Sequence, residues 1–123
     1  MSESTYSLFQ KGRAHLQRGM PAQATVALEK AKKREPEKES IREALGIAYF
    51  RIGRWAEAEA EFRALIDLSP VNDYAHYALG RTLEKQGRQR EANRHYKLAS
   101  SLRPGSVHYR ARILDLDLGD SAS

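Results

Sequence analysis

The sequence predicts an all-α protein, a helix-turn-helix repeat solenoid of about seven helices. A period of 34 residues aligns Gly12, Gly46 and Gly80, then Gly19, Gly53 and Gly87, then Ala24, Ala58 and Ala92, then Pro36, Pro70 and Pro104. Each period holds two stretches with apolar residues at helical spacing, divided by its second glycine. Each second stretch runs out just before a proline, which cannot continue a helix and pushes the preceding residue toward extended backbone. Six of the eight glycines and three of the four prolines keep this register, so the repeat is recognised before any single helix is assigned.

The spacing places helices near residues 5–18, 22–35, 39–52, 56–68, 73–86 and 90–102, followed by a seventh that Ser106 caps and that runs to 118. The resulting organisation is a tail at 1–4, repeats at 5–38, 39–72 and 73–106, a capping helix at 107–118 and a tail at 119–123. Glycine inside a helix costs about 1 kcal/mol relative to alanine, so Gly12, Gly46 and Gly80 must be offset. Lacking a side chain, each lets the partner helix approach closely, and the recurrent alanines are expected to be the matching small surface. Gly19, Gly53 and Gly87 turn the chain between paired helices. The large residues share the register: Leu28 aligns with Phe62 and Tyr96, Leu45 with Leu79, and His15 with Tyr49 and Leu83. In the last segment Val107, Ala111, Leu114 and Leu118 fall on one helical face, while Asp115, Asp117 and Asp120 keep the other wet, as an end-covering helix requires.

This pattern resembles the tetratricopeptide repeat, whose 34-residue unit carries Leu-Gly, Tyr, Ala, Phe and Pro at fixed places. The second unit matches best, with Leu45-Gly46, Tyr49, Ala58, Phe62 and Pro70; the third keeps Leu79-Gly80, Ala92, Tyr96, Ala99 and Pro104. The first departs, with Lys11 for the leucine, His15 for the tyrosine and Leu28 for the phenylalanine, as suits a terminal repeat with one face toward solvent. The resemblance covers residues 5–104 and implies a right-handed superhelix.

Composition bounds the remainder. The 123 residues suit one domain, and 41% hydrophobic with 30% charged residues argues against a wholly disordered chain. With no cysteine there is neither a disulfide nor a thiolate metal site. The N-terminal MSESTYSLFQKGR lacks a basic segment followed by an apolar core, so the expected location is cytoplasmic, without membrane insertion. Net charge of +5 favours acidic partners in general.

No catalytic signature occurs, and the expected protein is not an enzyme and needs no cofactor. The histidines His15, His76, His95 and His108 lie on different helices without metal-ligand spacing and read as structural. Trp55, at a turn between paired helices, reads as packing between repeats. Two basic runs, KAKKRE at 30–35 and RQREANRHYK at 88–97, fall on second helices and are interrupted by Glu57, Glu59, Glu61 and Asp67; they read as solvated faces.

The resemblance implies that the first helices line a concave groove. Carrying over its inward slots gives Tyr6, Phe9, Arg13, Leu16 and Gln17, then Ser40, Glu43, Ile47, Phe50 and Arg51, then Tyr74, Tyr77, Arg81, Glu84 and Lys85. Aromatic and arginine side chains are those that interfaces enrich. The resemblance thus implies a non-catalytic protein–protein interaction module, a scaffold or adaptor, whose groove takes a peptide or helix with acidic residues and an apolar anchor. One subgroup of the family clamps chaperone C-terminal carboxylates, but the corresponding slots here hold Phe9, Arg13, Ala44, Tyr74 and Ala78, of which only the arginine offers a charged donor. Two alternatives stand beside this reading: RNA or another polyanion on the basic and aromatic surface, and homo-oligomer formation through the groove and C-terminal segment.

Overall fold

The computed structural model describes residues 3–109. Six α-helices follow one another, α1 (Thr5–Gln17), α2 (Pro21–Arg34), α3 (Glu39–Arg51), α4 (Trp55–Leu68), α5 (Asp73–Lys85) and α6 (Gln89–Leu102). Every boundary lies within one residue of the position expected from spacing. Residues 107–109 begin a further helical turn, and the rest of the expected capping helix lies outside the described residues.

Each helix pair closes through one turn design. Where α1 ends, the Met20 amide donates to the His15 carbonyl (2.8 Å) and the Gly19 amide to the Leu16 carbonyl (3.1 Å). The same two bonds recur at Arg54/Tyr49 with Gly53/Phe50, and at Arg88/Leu83 with Gly87/Glu84. This Schellman arrangement satisfies the last carbonyls of the first helix and requires a left-handed residue at its centre. Gly19, Gly53 and Gly87 supply it, with φ of 72°, 77° and 78°. The second helices end differently. Glu35, Ser69 and Arg103 adopt φ of −137°, −146° and −136° directly before the prolines, the extended geometry that a following proline ring enforces. Side-chain oxygens start α1 and α5, Ser4 accepting from the Ser7 amide (3.0 Å) and Asn72 from the Ala75 amide (3.1 Å). Ser106 likewise accepts from the Tyr109 amide (3.3 Å), as the sequence predicts for a seventh helix start.

The helical glycines mark where paired helices touch. A Cβ built on Gly12 would stand 2.5 Å from Cγ of Leu28, one on Gly46 2.5 Å from Cε1 of Phe62, and one on Gly80 2.7 Å from Cε1 of Tyr96. The expectation that the recurrent alanines provide the complementary surface is therefore corrected: large side chains fill the space each glycine vacates. Leu28, Phe62 and Tyr96 are at most 1% exposed, and burying such a side chain contributes about 1.5–3 kcal/mol, more than the glycine costs. Ala24, Ala58 and Ala92 are fully buried beside them in the core. That core continues through Leu45, Leu79 and Leu83, because α2 packs on α3 and α4 on α5 as well as on their hairpin partners.

Charged contacts reinforce the junctions between successive hairpins. Glu61 is almost wholly buried and accepts from Lys32 on α2 (3.0 Å) and Arg42 on α3 (2.9 Å). Arg42 also donates to the Pro36 carbonyl (2.9 Å). Glu59 accepts from Arg63, Arg88 and Gln86; burial opposes its ionisation, but those hydrogen bonds and the charges of Arg63 and Arg88 outweigh it and hold Glu59 below its ordinary value. Among the described residues no helix is long and apolar enough to cross a membrane.

Gly46→Ala is expected to lower stability by about 1–3 kcal/mol despite alanine's better helix propensity, because the methyl group overlaps the Phe62 ring. Gly105→Ala, whose Cβ meets nothing within 4 Å, is expected to leave stability within about 0.5 kcal/mol. Thermal and urea unfolding followed by circular dichroism compares them, and equal sensitivity at the two positions would contradict the close-approach account.

Candidate functional site

Two adjoining clefts open on the face built by the first helices. Between α3 and α5 lies a cleft of about 240 Å³ lined by Ile47, Phe50, Arg51, Tyr74, Tyr77 and Arg81, with Phe62 and Ala78 beneath. Between α1 and α3 lies a second, of about 400 Å³, lined by Phe9, Arg13, Leu16, Ser40, Glu43, Ala44 and Ile47. Ile47 belongs to both, so the two form one path across three helices. The helical period sets this arrangement: Ser40, Glu43, Ile47 and Phe50 succeed one another at three- and four-residue steps and share one stripe of α3.

Of the sequence-predicted residues, Phe9, Arg13, Glu43, Ile47, Phe50, Arg51, Tyr74, Tyr77 and Arg81 come together in these clefts. Tyr6, Gln17, Glu84 and Lys85 line neither. Tyr6 is 71% exposed near the start of α1. Glu84 accepts from the Tyr96 hydroxyl (3.2 Å), and Lys85 lies over the Trp55 ring at 5.9 Å. Trp55 meets Phe50 of its own repeat edge to face at 5.1 Å, and it contacts the next repeat through Lys85 over its ring and through its carbonyl, which accepts from Gln86 (3.4 Å). Tyr77 has a second duty that its sequence position does not announce. It is 8% exposed, its hydroxyl shares a 2.6 Å hydrogen bond with Nε2 of His108, and its ring packs on Tyr96 and Tyr109. Tyr109 in turn donates to Asp73 (2.5 Å), and burial together with that carboxylate pushes its phenol up to about 12. Phe62 is the lining residue that slot-by-slot reasoning missed. The signal was present in Gly46, whose absent Cβ lets the Phe62 ring of α4 pass between first helices to the cleft floor.

The groove arginines differ from those of the junctions. Arg42, Arg63, Arg88 and Arg103 all pair with carboxylates. Arg81 instead stacks over Phe50 at 5.2 Å and Arg13 over Phe9 at 5.7 Å. Arg51 donates one Nη1 to the Leu16 carbonyl (3.1 Å) at the end of α1, leaving its other donors toward the cleft. A guanidinium placed over an aromatic ring keeps N–H donors for a further acceptor.

The four histidines sit on separate helices, yet two of them meet. Nε2 of His76 lies 2.9 Å from the Pro70 carbonyl and must carry a proton there, so its Nδ1 accepts from Nδ1 of His95 at 3.2 Å. His76 and His95 stand one period beyond Arg42 and Glu61, and a neutral imidazole pair thus replaces an ion pair at the equivalent junction. Among the described residues no group of three or more potential metal ligands is assembled.

A family model described as tetratricopeptide repeat matches residues 9–73 and again 43–107. No curated protein sequence matches the chain. Among solved structures, the first such domain of Spaghetti (RPAP3) bound to the HSP90 peptide SRMEEVD superposes with a TM-score of 0.90 at 19% identity, over 98% of this chain and 96% of that one. A MamA crystal structure gives 0.92 at 24% identity, over 96% and 69%. MamA from Desulfovibrio magneticus RS-1 gives 0.91 at 19%, over 96% and 67%. At these identities the likeness is one of fold.

Burial, then the neighbouring His76, Arg63 and Arg94, lower the His95 pKa, with Glu91 opposing. The unfolded chain therefore takes up this proton first, at about 6.5, and stability should fall as pH drops from about 7 toward the depressed folded value. His95→Gln is expected to flatten that slope in urea titrations between pH 7 and 5, and an unchanged slope would contradict the assignment.

Proposed function

The chain belongs to the tetratricopeptide repeat family, and from that premise we propose that it is a non-catalytic interaction module whose α1–α3–α5 groove receives a segment of another protein. The observation that carries the reading is the combination of an apolar cleft with two guanidinium groups, Arg51 and Arg81, that no carboxylate among the described residues neutralises. An apolar side chain of the ligand would occupy the space between Phe50 and Tyr74, and a carboxylate beside it would take bidentate hydrogen bonds from an arginine. Placed on rigid helices and preoriented against rings, these groups lose little freedom on binding.

A chaperone tail of the kind bound by the RPAP3 domain is argued against by the residues at the clamp slots. Ala44 and Ala78 are short and buried, while Phe9 and Tyr74 present rings. The groove suits an internal apolar residue flanked by charge better than a terminal carboxylate. The polyanion alternative is disfavoured by the junction network, since Lys32 of the first basic run is committed to Glu61 and Glu29.

Random 12-residue peptides displayed on phage and selected on the wild-type chain supply a defined ligand. Arg51→Glu and Arg81→Glu are each expected to weaken a selected peptide by about tenfold or more, as for loss of a charged hot spot. Lys33→Glu, an exposed change on α2, should leave affinity unchanged. Titration by fluorescence anisotropy, with helicity checked for every variant, measures this; a Lys33→Glu defect with both groove variants intact would move the ligand to the second-helix surface.

A further inference from the structure

The groove is not uniformly cationic. In the α1/α3 cleft Glu43 is half-buried beside Phe9, Leu16 and Ile47. Among the described residues it makes no hydrogen bond or ion pair, although Arg13 lines the same cleft and lies instead over the Phe9 ring. Among the other described residues, partly buried glutamates have partners: Glu29 with Lys32, Glu57 with Arg54, Glu59 with Arg63 and Arg88, Glu61 with Lys32 and Arg42, Glu91 with Arg63 and Arg88, and Glu84 with the Tyr96 hydroxyl. A carboxylate withdrawn from water without a cation is costly, and burial, followed by the charge of Glu39, raises the Glu43 pKa accordingly. Past Ile47 and Phe50 the charge reverses, at Arg51 where the same helix ends and at Arg81 on α5.

We propose that the groove selects a bipolar segment: a lysine or arginine seated against Glu43, an apolar side chain in the Ile47/Phe50/Tyr74 cleft, and an acidic residue at Arg51 and Arg81. This rests on the groove reading above and refines its ligand from acidic to mixed in charge, with a fixed direction. Glu43 precedes Ile47 and Phe50 by four and seven residues of α3, about 6–10 Å of helix rise, and an extended chain advances about 3.3 Å per residue, so the basic and apolar residues stand about two to three positions apart. The opposed ends of the groove also reject the reversed orientation, which would set acid against Glu43 and base against Arg81.

The test uses the same displayed library on the wild-type, Glu43→Lys and Arg81→Glu chains. Wild type is expected to enrich a basic residue about two to three positions from an apolar one. Glu43→Lys should exchange that basic preference for an acidic one while keeping the apolar position, and Arg81→Glu should lose the acidic preference at the other end. For one synthetic peptide from the wild-type selection, the isosteric Glu43→Gln is expected to weaken binding about tenfold, an effect that disappears when the peptide's basic residue becomes alanine. Wild-type affinity should also rise with pH through the titration of Glu43, because the cation favours the ionised carboxylate, and Glu43→Gln should not show this rise. Peptides that depend on Arg81 yet carry no basic preference and bind Glu43→Gln normally would overturn the bipolar proposal and leave the groove reading standing. Peptides indifferent to both groove variants, or no enrichment at all, would overturn both.

Discussion

The insertion of a large side chain against a helical glycine, repeated at Gly12/Leu28, Gly46/Phe62 and Gly80/Tyr96, governs the geometry on which the rest of the molecule depends. It sets how closely the two helices of each hairpin lie and fixes the rotation of each second helix, because only one residue of that helix can enter the gap. Once α4 is locked to α3 by Phe62, its remaining apolar edge is committed to α5, and each hairpin orients the next. The clefts on the first-helix face are consequences of that stacking. The α3/α5 cleft shows this directly, since its floor is the ring of the inserted Phe62.

Charge is arranged in two ways that serve different ends. At the hairpin junctions, acids and bases are consumed within the fold, as at Glu61 with Lys32 and Arg42, and Glu59 with Arg63 and Arg88. Partly buried pairs of this kind fix register between neighbouring elements more than they add stability. The third unit keeps the geometry but not the charge, with His76 and His95 spanning the same positions. In the groove, by contrast, Arg13 and Arg81 lie over aromatic rings and Glu43 forms no ion pair with any described residue. Groove charges left without an ion partner, beside junction charges that all have one, are what a binding surface requires.

Most of the helical framework was legible in the sequence because glycine and proline act locally. A left-handed turn at Gly53 and an extended residue before Pro70 follow from backbone sterics alone, so the helix limits could be read within one residue. The inward-facing stripe of α3 was legible for the same reason, being set by helical period. What escaped was pairing across sequence distance. That Phe62 reaches the cleft floor, that Tyr77 is roofed by His108 and Tyr109, and that His76 meets His95 each depend on how hairpins stack. The identity of the group facing each glycine escaped as well, because the alanines keep the same period as the residues that do fill the gap.

The central claim is that ligand contacts lie on α1, α3 and α5, and amide chemical-shift mapping of the ¹⁵N-labelled chain with a selected peptide tests it most directly. The account predicts saturable shifts at Glu43, Ile47, Phe50, Arg51, Tyr74 and Arg81, with the exposed faces of α2, α4 and α6 unmoved. Shifts concentrated on Lys30, Lys33, Arg90 and Arg94, with the groove amides unchanged, would contradict it.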